Sequence, residues 1–137
     1  FELFGAPGLD GAKLAAAVGP QPGCVLRPAY FQPTFQKHAG QVCGGVQLHV
    51  TDRARFRSWP LMVHVLSAVL NLWPDHFGWR TDAYEFVRDI PAFDLLAGSD
   101  RLRAGLEHGV DPDTLVAELS VPADVWLGTS APFRLYE

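Results

Sequence analysis

Two hydrophobic periods run through the chain. Between Val42 and Thr51, Val46, Leu48 and Val50 alternate with Gln47, His49 and Thr51. A period of two predicts a strand with one apolar face and one hydrogen-bonding face. From Leu61 to Trp73 the pattern becomes helical. Leu61, Met62, Val65, Leu66, Val69, Leu70, Leu72 and Trp73 leave only a narrow polar stripe of His64, Ser67 and Asn71. A helix so apolar must be covered on most sides, which makes it the central one. Ser58 is placed to cap it, Pro60 suits its first turn, and Pro74 ends it.

Weaker signals fill in the rest. Phe1 to Pro7 reads as an extended entry segment. Asp10 caps a short helix from Gly11 to Val18, with Leu14 and Val18 on one face and Gly19 as its stop. Cys24 to Arg27 is a short strand candidate, and Pro28 and Pro33 hold the following residues in extended or turn conformations. Asp52 to Arg57 is a charged turn, Tyr84 to Val87 a second, weaker strand, and Phe93 to Leu96 a helical turn. Ser99 caps a helix over Asp100 to His108, which Gly109 terminates. Asp111-Pro112 starts another, with Leu115 and Leu119 on its buried side. Phe133 to Tyr136 is a candidate closing strand. The predicted class is α+β, a small mixed sheet with several packed helices.

Composition narrows the possibilities. With 137 residues, 48% hydrophobic and 19% charged, the chain has the size and balance of one globular domain. A net charge of −4 without a basic run gives a nucleic-acid partner no electrostatic support. The apolar stretch from Trp59 to Trp73 is too short to span a membrane. The chain opens at Phe1 without a methionine and reads as part of a longer polypeptide, so its compartment stays open. Cys24 and Cys43 could pair in an exported protein, but two cysteines in a domain with a real core are more simply free thiols.

Polar chemistry gathers between Arg27 and Asp52, which holds two of the five histidines, His38 and His49, in aromatic and glycine-rich surroundings. His38, Cys43 and His49 match no usual zinc spacing and lack an evident fourth ligand, so no metal is expected. Cys43 beside histidines could serve as a nucleophile. Without a nearby carboxylate to orient a base, an inert buried thiol is the simpler reading.

The same residues carry a family resemblance. Phe1-Glu2-Leu3, Gly5-Ala6-Pro7, Arg27-Pro28, Tyr30-Phe31, Pro33-Thr34-Phe35, Lys37-His38-Ala39-Gly40, Cys43-Gly44-Gly45-Val46-Gln47, His49-Val50-Thr51-Asp52 and Gly98-Ser99-Asp100 resemble the C-terminal part of the exo-β-N-acetylmuramidases, bacterial proteins formerly of unknown function. The resemblance spans nearly the whole chain. Gly8, where the family usually has tryptophan, and Cys24 depart from the pattern.

This resemblance implies a two-part enzyme that removes terminal N-acetylmuramic acid from peptidoglycan fragments. A Rossmann-like N-terminal domain would supply most catalytic groups and be the chain's partner. Residues 1–137 would form the C-terminal domain closing one side of the cleft, with residues 1–8 at the junction. Carbohydrate is the implied ligand, and no cofactor is implied. Glycoside cleavage commonly uses two carboxyl groups. Glu2 could meet sugar hydroxyls or orient a catalytic group, or be a solvated carboxylate; Asp52 more simply caps its turn. Gly44 and Gly45 could present amides to the lactyl carboxylate, or form a bulge or turn. Lys37 and His38 could pair with that carboxylate, while Tyr30, Phe31 and Phe35, with Thr34 beside them, face the sugar or simply pack. Gln47 and His49 would form a polar row toward the cleft. A non-catalytic glycan-binding or protein-interaction module is the alternative.

Overall fold

The computed structural model describes residues 2–136; Phe1, where the expected entry segment begins, lies outside them. Strand β1 (Leu3–Ala6) leads through a turn into helix α1 (Gly11–Val18). Asp10 caps α1, its carboxylate accepting from the amides of Ala12 at 2.9 Å and Lys13 at 3.0 Å. Strands β2 (Cys24–Phe31) and β3 (Cys43–Val50) form a long hairpin, and the strand order is β1-β3-β2. Both pairings are antiparallel. The α+β class therefore stands, but the sheet is not mixed, because a hairpin and a returning N-terminal strand need no parallel crossover.

Strand β2 runs four residues past the expected stop at Arg27, through Pro28. As an edge strand it has one side without a neighbour, so a residue lacking an N–H is tolerated there. Paired residues share a face, so Phe4, Val46, Leu26 and Leu48 point one way, against Leu14 and Val18 of α1. Helix α2 (Ser58–Leu72) completes this core with Leu61, Val65 and Ala68.

The other side of α2 supports a second core. Val63, with Leu66 and Leu70, meets Leu102 and Leu106 of α4 (Arg101–Glu107) and Leu115 of α5 (Pro112–Leu119). Helix α2 thus joins both cores, the central position its apolar pattern predicts. Its polar stripe reaches outward, where His64 Nε2 lies 3.0 Å from Asp113 Oδ1. Asp111 caps α5 through the Thr114 amide at 3.0 Å, as expected. The expected caps at Ser58 and Ser99 do not form: Arg57 and Asp100 occupy the cap positions, without a side-chain bond.

Short helix α3 (Ala92–Ala97) is tied to α4 by a buried ion pair. Asp94, 5% exposed, accepts from Arg103 Nε at 2.9 Å and Nη2 at 2.8 Å. That bonding holds the Arg103 guanidinium protonated even more firmly than usual. Phe77, Trp79 and Phe93 form a continuous aromatic cluster, the first pair edge-to-face and the second tilted, with centroids 4.7 and 4.4 Å apart.

Two expected strands are absent. Tyr84 and Val87 exchange backbone hydrogen bonds at 3.0 Å across a tight turn, with Glu85 at φ 50°, and no third strand extends it. Phe133 to Tyr136 follows helix α6 (Ala123–Ser130), which the sequence reading missed, and begins in a 3-10 turn.

Candidate functional site

The hairpin divides the expected site residues into two stations. At its tip, Gln32 to Val42 connects β2 to β3 as an ordered loop. The Gln32 Nε2 donates to the Gly40 carbonyl and the Gly40 amide to the Pro33 carbonyl, both at 2.8 Å. Gln36 and His38 adopt positive φ, 61° and 58°, a conformation costing about 1–3 kcal/mol for such residues. Turn bonds hold them there: Ala39 N to Gln36 O at 3.3 Å and Gln41 N to His38 O at 3.0 Å. The loop thereby presents Thr34, Phe35, Lys37 and His38 to solvent. Tyr30 (71% exposed) and half-buried Phe31 stand at its base, opposite Gly44 and Cys43.

The second station lies six residues along β3, about 20 Å away at strand rise. Gln47 and His49 share the sheet face opposite α1, as the alternation predicts. Thr51 does not join them, because the strand ends at Val50 and the Thr51 amide turns to the Gly23 carbonyl at 2.8 Å. Glu2 borders a depression of about 440 Å³ with His49, Arg53 and Phe56, and its carbonyl accepts from Leu48 N at 2.7 Å. Lys37 and His38 are thus separated from His49, Gln47 and Glu2, and one compact cluster is not formed.

Gly44 and Gly45 are neither turn nor bulge between the stations but interior residues of the central strand, both buried. Their amides belong to the ladders with β1 and β2, which argues against their presentation to an anion. Both are glycine for close approach: a Cβ on Gly44 would lie 2.0 Å from the Leu9 carbonyl oxygen, and one on Gly45 2.1 Å from that of Phe4. Asp52 caps its own turn, accepting from Ala54 N at 2.9 Å.

Arg27 is the residue that the sequence reading left without a role. It stands on the rung Leu3–Gln47–Arg27, one residue from each strand. Its Nη2 donates to Gln47 Oε1 and its Nε to His49 Nε2 at 3.4 Å. The signal available in the sequence was its place in the quoted motif; only the register sets it beside Gln47 and His49.

The thiols are free and lie at opposite ends of the hairpin, Cys24 across from Val50 and Cys43 across from Phe31. Burial pushes the Cys24 thiol above its ordinary pKa. Cys43 is fully buried and directs its thiol to the Gln41 carbonyl at 3.8 Å, a poor setting for a nucleophile. Among the described residues, no group of three or more His, Cys, Asp or Glu side chains is gathered as a metal site. A groove of about 620 Å³ lies on the helical side, lined by Trp59, Ser99, Arg101 and Glu118 among others. It went unforeseen because it forms where four separate helices, α2 to α5, meet.

Helices packed on one face of a short antiparallel sheet, with a polar row on its other face, define a small α+β domain of a known kind. A DUF1343 family protein from Bacteroides fragilis has this fold in its crystal structure, with a TM-score of 0.75 and 23% identity, covering 99% of this chain and 35% of that one. The chain belongs to the family described as exo-beta-N-acetylmuramidase NamZ, C-terminal, which it matches over residues 1–136. It is also similar to the peptidoglycan beta-N-acetylmuramidase NamZ of Bacillus subtilis (strain 168), 36% identical over 138 residues, covering 99% of this chain and 31% of that protein. The chain therefore spans about a third of the length of these relatives.

Proposed function

We propose that this chain is the C-terminal domain of a peptidoglycan-degrading glycosidase that releases terminal N-acetylmuramic acid, and that it lines one side of the substrate cleft. The observation that carries this reading is the family match over residues 1–136. The two stations of the hairpin suit a binding wall. Exposed Tyr30 and Phe35 offer faces to a sugar ring, with Thr34, Lys37 and His38 beside them. Gln47, His49 and Glu2 offer hydrogen-bonding groups farther along.

The catalytic carboxyl pair would come from the N-terminal domain, the partner of this chain. Trp126, Leu127, Phe133 and Leu135, all more than half exposed, supply apolar surface for such a neighbour. The test is release of free N-acetylmuramic acid from a muramyl disaccharide, by this chain alone and by the polypeptide that includes the upstream domain. Release by the longer protein only is expected. Full activity from the chain alone would overturn the division of labour, and none from the longer protein would overturn the activity.

A further inference from the structure

We infer that Arg27 is the carboxylate anchor of the binding wall, the residue by which this domain distinguishes an acidic sugar from its neutral analogue. The inference rests on the proposed function, and it deepens that reading by assigning the acid group a partner.

A guanidinium has two forks of donors. In Arg27 the fork formed by Nε and Nη2 is engaged by His49 and Gln47 on the adjoining strand. These bonds leave the end-on fork, Nη1 with the remaining Nη2 hydrogen, directed away from its supports. That fork has the geometry for two parallel bonds to a carboxylate. Among the described residues no carboxylate lies within ion-pair distance of Arg27. His49 Nε2 is the acceptor of the bond from Arg27 Nε.

The surroundings fit a sugar acid. Leu3 (44% exposed) shares the rung of Gln47 and Arg27, and Val25 (55% exposed) shares that of His49. A fixed cation flanked by exposed aliphatic groups combines apolar contact with a few placed polar groups, as ligand sites do. Lys37, by contrast, is a point charge on a flexible stem exposed on the hairpin loop. The Gly44 and Gly45 amides are committed to the ladders. Arg27 is the cation whose orientation is already set.

The test is titration of the protein, with its upstream domain, with N-acetylmuramic acid and with the methyl ester of its lactyl group, for wild type, Arg27→Gln and Gln47→Glu. A charge-assisted bidentate pair predicts that wild type binds the acid about tenfold or more tighter than the ester. Arg27→Gln should bring that ratio to about one, through loss of acid binding with ester binding retained, which also shows that the variant is folded. Gln47→Glu places a competing carboxylate against the guanidinium and should likewise weaken acid binding selectively. If the ratio survives in both variants, or wild type shows no preference, Arg27 is not the anchor and the family reading stands. Binding of neither compound to wild type overturns both.

Discussion

Gly45→Ala probes the packing of the central strand. Replacing a strand glycine by alanine ordinarily stabilises, by about 0.4–1 kcal/mol, through the loss of freedom in the unfolded chain. Here the added Cβ would lie 2.1 Å from the Phe4 carbonyl oxygen and 2.6 Å from the Gly5 Cα. Both obstacles are backbone, so no side chain can swing aside. Strand β1 must move away, with the loss of one or two ladder hydrogen bonds at about 1 kcal/mol each and an overpacking cost of about 1–3 kcal/mol. The net expectation is a loss of about 2–4 kcal/mol, against a total stability of about 5–15 kcal/mol for a domain of this kind. The assay is urea unfolding followed by far-UV circular dichroism. Gly78→Ala is the control, since a Cβ there meets nothing within 4 Å. It should be neutral or slightly stabilising. A Gly45→Ala variant within about 0.5 kcal/mol of wild type would refute the claim that close backbone approach dictates this glycine.

Other perturbations separate core from surface. Leu14→Ala, at a fully buried position between α1 and the sheet, should cost about 2–5 kcal/mol in the same unfolding assay, whereas Phe133→Ala, 84% exposed, should stay within about 0.5 kcal/mol. Asp94→Asn keeps the shape but removes the charge that Arg103 grips, so it should lower the unfolding midpoint; an unchanged midpoint would mean that the pair does not hold α3 to α4. The raised Cys24 pKa keeps the native thiol protonated to higher pH than a free one. Relative to Cys24→Ala, its contribution to stability should be fully present below the ordinary thiol pKa and lost as pH rises through the folded-state value, and native Cys24 should resist N-ethylmaleimide at neutral pH. Rapid labelling of the folded protein, read by mass spectrometry, would contradict that burial.

Local rules with a single physical cause were readable in the sequence. Asp10 and Asp111 cap their helices because each begins a helix with free amides two or three residues ahead. The alternation over Val46 to Val50 marks β3, and the nearly all-round apolar pattern marks α2 as the helix between two cores. What failed depended on tertiary placement. Pro28 looked like the end of a strand, and only the edge position of β2 permits it. Tyr84 and Val87 have strand-forming side chains but no third strand to pair with. Helix α6 was missed because Val125, Trp126 and Leu127 are consecutive and exposed, so no one-sided stripe announces it. The candidate residues could be named from the sequence, and Gln47 and His49 share one face as their alternation indicates. Their division into two stations, and the place of Arg27 beside Gln47 and His49, required the register.

Chemical-shift mapping of the protein, with its upstream domain, during titration with N-acetylmuramic acid would show where the sugar meets this domain. Perturbed amides should lie in Val25–Phe31, Cys43–Val50 and the intervening hairpin loop. Perturbations confined to the groove around Trp59, Ser99 and Glu118, or absent from this domain altogether, would contradict a binding wall built on the sheet and its hairpin.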